Sequence, residues 1–304
     1  MAATKTATLS GLRRREEYAG WISVAPVVAG IIIFQVYPVV FSLYASLTEW
    51  NLVSPPQWVG AKNYIALFTT DRFFKTAMLN SGVYAFSTVL PGVALALVFA
   101  VLLNLDIRGR FIYRSIFFVP VVAPLVSLAI LWQWIYEPNF GILNFTLRLV
   151  GIKGPVWLGS SHWAMPAIIL MAIWRRLGYD IVLFLAGLQS ISRDYYEAAS
   201  LDGANAVQQF IRITLPLLSP VTFLVLVLGI IDAFQVFTVP FIMTSGGPAN
   251  ATLTVVLLLY NNAFRYQQMG MASAIAYCLF AVVLILTLAN FRLQRLWVFY
   301  EEAR

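Results

Sequence analysis

Four ionisable residues stand inside otherwise uncharged runs: Arg175, Arg176, Asp180 and Asp232. Arg176 and Asp180 are four apart, so on a helix they share a face and can pair. Asp232 belongs to a different run and can meet Arg175 or Arg176 only across a helix interface. A charge at bilayer depth costs about 3 kcal/mol on insertion scales, so it faces protein or a water-filled path. Trp174, Tyr179, Phe234, Gln235 and Phe237 flank these charges. Several chemistries fit. The group can be a structural ion-pair network with aromatics packed around it, or a gate. The two aspartates can carry protons. An aromatic face beside hydrogen-bonding groups also suits sugars, which offer apolar C–H faces and many hydroxyls. Trp174, Arg175, Arg176, Tyr179, Asp180, Asp232, Phe234, Gln235 and Phe237 are therefore the candidate solute pathway.

The elements that would position these residues are membrane spans. The chain of 304 residues is 61% hydrophobic, and only 11% of it is charged. Its mean hydropathy is +0.81. A soluble domain carries about 25% charged residues. A bilayer core of roughly 30 Å needs about 20 apolar residues in a helix. Six stretches meet that length, near 20–46, 77–103, 114–135, 164–189, 217–243 and 268–290. The expected fold is all-α and polytopic, with a tail at 1–18, a six-span region at 19–292 and a second tail at 293–304. Three arginines followed by an apolar run resemble a signal peptide. The uncharged stretch after them is about twice the usual 7–15 residues, so an uncleaved first span is expected.

The net charge of +7 does not indicate nucleic acid, because the cations sit in short segments beside apolar runs. They also write a topology. Lys5, Arg13–Arg15, Arg108, Arg110, Arg114, Arg193, Arg212, Arg292, Arg295 and Arg304 give twelve on one side. Lys62, Arg72, Lys75, Arg148, Lys153 and Arg265 give six on the other. The positive-inside rule makes both termini and the 193–216 loop cytoplasmic. A single cysteine (Cys278) excludes an intramolecular disulfide, and with one histidine (His162) it excludes a His/Cys metal cluster. The sequence has no G-x-x-x-x-G-K-[ST] phosphate loop and no evident nucleophile–base pair. Neither a catalytic site, nor a metal, nor a cofactor is expected.

The loop between the fourth and fifth stretches is patterned. Asp194 can cap a helix, with Glu197 at the capping-box spacing. Ala198 and Ala199 favour helix. Asp202 then precedes Gly203, where glycine takes left-handed angles at little cost. A second short helix over about 204–214 would end at Pro216. Two short helices at an angle are expected, and small side chains on the first would admit another protein's surface.

Glu197-Ala198-Ala199, Asp202-Gly203-Ala204, Ile213 and Leu215-Pro216 resemble the EAA loop by which membrane subunits of ABC importers dock onto their ATPase. The segments Trp58-Val59-Gly60-Ala61-Lys62-Asn63-Tyr64, Phe184-Leu185-Ala186-Gly187-Leu188-Gln189 and Ser245-Gly246-Gly247-Pro248 look like those of carbohydrate-importer permeases. The branch is the one resembling maltose and glycerol-phosphate permeases. The extra spans and large external domain of some members have no counterpart here.

The resemblance implies a type I importer permease in a bacterial or archaeal cytoplasmic membrane, translocating a sugar, oligosaccharide or polyol derivative. It implies ATPase coupling through Glu197, Ala198, Ala199, Asp202, Gly203, Leu215 and Pro216. Gly246, Gly247 and Pro248 would approach the extracytoplasmic solute-binding protein. The implied partners are that protein, a second homologous permease, two ATP-binding-cassette subunits and membrane lipid. A proton-coupled transporter using Asp180 and Asp232, and an intramembrane enzyme, are the rival readings. Neither accounts for the patterned loop.

Overall fold

The computed structural model describes residues 4–106 and 108–299, and side chains among them from residue 16 onward. Residues 1–3 and 300–304 of the two expected tails lie outside the described residues.

The first helical stretch is continuous from α1 (Thr4–Ile31) through a π turn (Ile32–Val36) into α2 (Tyr37–Ser46). Pro38 falls in the first turn of α2. Its ring would clash with a carbonyl four residues back in a regular helix. The wider π turn just before it removes that conflict. A two-stranded ribbon, β1 (Thr48–Glu49) and β2 (Gln57–Trp58), follows in antiparallel pairing with Thr48 opposite Trp58. Then come α3 (Lys62–Thr69) and α4 (Arg72–Asn104). Asp71 caps α4 by accepting hydrogen bonds from the Phe73 and Phe74 amides at 2.8 and 3.0 Å.

The centre of the bundle is α4, packed against α8 (Ala164–Ser190) and α12 (Ser219–Phe234). Small residues bring them together: Ala77, Ala96 and Ala100 of α4 and Ala164 of α8 are fully buried. Gly178 on α8 sits against α5 (Arg110–Val122) so closely that a Cβ there would lie 2.0 Å from the Phe117 carbonyl oxygen. α15 (Met269–Trp297) closes the other side, packing on α2, α12 and α14 (Val255–Tyr260). The Tyr277 hydroxyl of α15 donates to the Val39 carbonyl of α2.

Several expected spans are shaped differently. The stretch 114–135 is not one helix: α5 and α6 (Leu125–Ile135) meet at 104°. Pro124 is the cause, since it holds Ala123 extended (φ −70°, ψ 141°) and ends α5 there. The stretch 217–243 is broken twice. It bends by 61° at Leu218. It breaks again over residues 235–237 before α13 (Thr238–Thr244), where Pro240 cannot donate back into a continuing helix. α15 runs on to Trp297, so residues 293–297 of the expected second tail are helical.

By length and apolarity, three described helices can cross a membrane, or five if each bent pair counts once. α8 has the length, 27 residues, but no 18-residue part of it avoids Arg175, Arg176 and Asp180 together. A further short helix, α7 (Ile142–Leu149), lies between α6 and α8.

Candidate functional site: an ion-paired cavity and a helical elbow

Arg176 joins two elements. Its Nε donates to Asp180 Oδ2 at 3.0 Å within α8, as the i,i+4 spacing requires, and its Nη1 donates to Asp232 Oδ2 of α12 at 3.2 Å. The two carboxylates differ in setting. The Asp180 side chain is 1% exposed, whereas that of Asp232 is 70% exposed. Arg175 Nε, Arg176 Nη2 and Asp180 Oδ1 are buried without a partner among the described residues. Gly229 makes room for the bridge: a Cβ there would come within 3.0 Å of Val89 and 3.5 Å of Arg176 Nη2.

These groups border a cavity of about 160 Å³. Tyr84 and Thr88 of α4, Met171, Arg175 and Arg176 of α8, Asp232 of α12, and Gln235 and Phe237 from the break after α12 line it. A second, wider cavity of about 390 Å³ shares Arg175, Arg176, Asp232 and Gln235 and adds Tyr179. Gln235 follows Asp232 by three residues, the spacing that shares a helix face, and Phe237 reaches the first cavity from the break after α12. Chemically the site offers two guanidinium groups, two carboxylates, an amide and hydroxyls beside aromatic rings. It can hydrogen-bond a polyhydroxylated solute, and its four formal charges cancel.

Seven of the nine predicted pathway residues are gathered here, counting Asp180 beneath Arg176. Two are not. Phe234 is buried in the core at 3% exposure and lines neither cavity. Trp174 lines neither cavity and instead meets Trp132 edge-to-face at 5.4 Å. Tyr84 and Thr88 were not anticipated, since a tyrosine in an apolar run reads as packing. The only signal was two polar heads four residues apart on one face.

The 193–216 segment forms an elbow, with a different cap from the one expected. α9 (Arg193–Leu201) begins at Ser192, whose hydroxyl accepts from the Asp194 amide at 3.3 Å. Asp194 is inside the first turn, so Glu197 does not complete a capping box with it. Glu197 and Ala198 are exposed and Ala199 is half-buried. Asp202 ends the helix and Gly203 takes φ +80°, the left-handed turn expected of it. The capping box occurs one helix later. Asn205 Oδ1 accepts from the Gln208 amide, and Gln208 Oε1 from the Asn205 amide, both at 2.9 Å.

That second arm does not stop at Pro216. α10 (Ala206–Gln209), a π turn (Phe210–Thr214) and α11 (Leu215–Leu217) run on as one helical rod. The π turn again lies just before a proline and accommodates its ring. Tyr196 and Thr214, one on each arm, share a hydroxyl–hydroxyl bond of 3.0 Å that fixes the elbow. Leu215 and Pro216 are half-buried at the root of the rod.

At the other end of α13, Ser245 (φ 50°) and Gly246 (φ 87°) turn the chain, and Thr252 donates to the Gly247 carbonyl at 2.9 Å. Gly246 is buried, while Gly247 and Pro248 are partly exposed. Just beyond α6, Glu137 accepts from the Asn139 and Phe140 amides at 2.6 and 2.7 Å. The Phe140 amide, with that of Asn139, holds its carboxyl below the usual glutamate range.

A bundle of long apolar helices around an ion-paired cavity suits a membrane component. Residues 72–297 match the family of binding-protein-dependent transport system inner membrane components, and the chain belongs to that family. It is thus a membrane permease component and not the ATPase. It is 38% identical over 293 residues to the probable ABC transporter permease protein YesP of Bacillus subtilis (strain 168), covering 95% of this chain and 94% of that protein. It is 32% identical over 287 residues to the trehalose/maltose transport system permease protein MalF of Thermococcus litoralis, covering 94% and 97%. A chain of the bacterial alginate ABC transporter, crystallised with its alginate pentasaccharide-bound periplasmic protein, has the same fold. Its TM-score is 0.82 at 22% identity, over 92% of this chain and 95% of that one.

Proposed function

We propose that this chain is one membrane subunit of an ATP-driven importer for a sugar, oligosaccharide or polyol derivative, with the ion-paired cavity on the solute path and the 193–216 elbow as the ATPase contact. The observation that carries the reading is the cavity itself: guanidinium, carboxylate, amide and aromatic groups meet where two helices break. Its net neutrality and aromatic rim suit a hydroxyl-rich solute. The name of the relative from Thermococcus litoralis, a trehalose/maltose permease, supports a saccharide.

Six spans result if α1–α2, α4, α5–α6, α8, α12–α13 and α15 each cross once, with α8 shielding its charges inside the bundle. An even number returns both termini to one side, the cytoplasmic side by the distribution of cations. The elbow then faces the cytosol. Glu197, Ala198, Ala199 and Asp202 form one arm, Gly203 the bend, and Leu215-Pro216 the root of the other. Two ATP-binding-cassette subunits closing on ATP would push the elbow and tilt α12, opening the cavity inward. A second, homologous permease completes the pore, because the charges of this chain are poorly suited to duplication around an axis. The 245–248 turn is on the face that would receive the solute-binding protein.

Purification from native membranes tests the assembly. Two ATPase subunits and a different permease are expected to co-purify, and vesicles containing them should take up labelled oligosaccharide only with ATP and the binding protein. Proton-driven uptake by this chain alone would overturn the reading in favour of the aspartate-based transporter.

A further inference from the structure

The elbow's second arm does not lead directly into α12. The axis bends by 61° at Leu218, between two prolines at 216 and 220. Pro220 has no amide to offer the Pro216 carbonyl four residues back. Backbone bonds from the Leu218 amide to the Thr214 carbonyl and from the Thr222 amide to the Leu218 carbonyl, both 2.9 Å, flank the bend. Without the missing one the joint is softer and absorbs part of a push on the elbow.

Ser219 fills the gap. Its hydroxyl donates to the Pro216 carbonyl at 2.5 Å and accepts from the Phe299 amide at 2.8 Å. One proton and one lone pair are both used, and the residue is only 4% exposed. Phe299 comes from the chain just beyond α15. It is delivered there by Phe223 of α12, which packs edge-to-face on Phe291 at 5.1 Å and on Trp297 at 6.4 Å. The root of the elbow, the start of α12 and the end of α15 therefore meet on one hydroxyl.

We propose that Ser219 is a positioning residue for transport: it locks the bend so that displacement of the elbow moves α12 and α15 as one body. This rests on the elbow being the ATPase contact. Ser219 touches neither the cavity nor any exposed surface of the elbow, so its effect is on transmission alone. Removing the lock leaves ATP hydrolysis able to proceed while the spans no longer follow it.

The test is the ratio of solute imported to ATP hydrolysed in vesicles holding the whole complex. Ser219→Ala is expected to lower that ratio roughly fivefold, the worth of about one hydrogen bond at the transmitting contact. Assembly and stimulated ATPase should be near wild type, and Ser219→Thr should restore the ratio. Phe299→Pro removes the other partner's amide. Val298 is already extended (φ −87°, ψ 121°), so a following proline is tolerated there. It should uncouple like Ser219→Ala, whereas Phe299→Ala, which keeps the amide, should not. An unchanged ratio in Ser219→Ala, or uncoupling by Ser219→Ala without uncoupling by Phe299→Pro, overturns the proposal. If Gly203 variants uncouple while these do not, the lock alone is wrong. If Gly203 variants are also neutral, the elbow is not the coupling element.

Discussion

Arg176 and Asp232 lie 56 residues apart in sequence and 3.2 Å apart in space, and their bond ties α8 to α12 across the cavity. The same guanidinium holds Asp180 beneath it. One side chain thus serves a buried partner and an accessible one, and the two should separate on mutation. Arg176→Ala leaves Asp180 buried and unpaired, a loss of about 3–5 kcal/mol for a buried pair broken from one side. Asp232→Asn removes only the accessible charge and should change stability by about 1 kcal/mol or less. Thermal melting of the purified complex is expected to drop strongly for the first variant and little for the second. Uptake should fall in both, because Asp232 borders the cavity. Normal uptake in Asp232→Asn would remove the cavity from the solute path.

The elbow makes a separate claim. Gly203 at φ +80° meets open space where a Cβ would be, so a substitution there is resisted by the backbone alone. Gly203→Val should cost about 1–2 kcal/mol of local strain and misdirect α9. Gly203→Asn should be milder, because asparagine tolerates the left-handed region. Glu197→Ala removes an exposed charge without touching the fold. Binding-protein-stimulated ATPase activity is expected to decline in the order Asn, then Ala at 197, then Val. Membrane insertion should be normal in all three. Full stimulation with the valine would refute the elbow's role.

How far the sequence foretold this can be seen at the same places. Apolar length located every long helix, because burial in lipid demands it whatever the details. Gly203 was legible because few residues other than glycine take that turn cheaply. The cap was not: Ser192 and Asp194 are equally able acceptors, and only the backbone path chose the serine. Phe234 was grouped with the charges by its nearness to Asp232 in sequence, whereas in the folded chain it packs into the core and lines neither cavity. Tyr84 was invisible for another reason. Its position opposite Arg176 depends on how α4 packs against α8 and α12, and no local pattern encodes that.

Glu137 gives a pH prediction outside the spans. The backbone amides of Phe140 and Asn139 depress its carboxyl, so the folded form holds its proton less tightly than the unfolded chain does. The stabilisation is fully present above the unfolded value of about 4.3 and is lost as pH falls through the lower folded value. Glu137→Gln should therefore melt below wild type at pH 7. The gap should close only in acid beneath the ordinary glutamate range. Melting curves of both proteins between neutral and acid pH decide it. A gap of constant size throughout would show that the charge is irrelevant to this turn.

The two π turns that precede Pro38 and Pro216 have a consequence for how this chain can change length. A π turn contains one residue more than the α path beside it, so deleting one residue there would normally leave an unbroken helix. The parts on either side would keep their relative setting, because the wide turn had absorbed the extra residue. The proline forbids the deletion, since with the turn tightened its ring strikes the carbonyl four residues back. Each proline therefore acts as a ratchet against shortening. A one-residue deletion in 210–214 is tolerable only with a change at Pro216, so the wide turn is inherited as a unit with that proline.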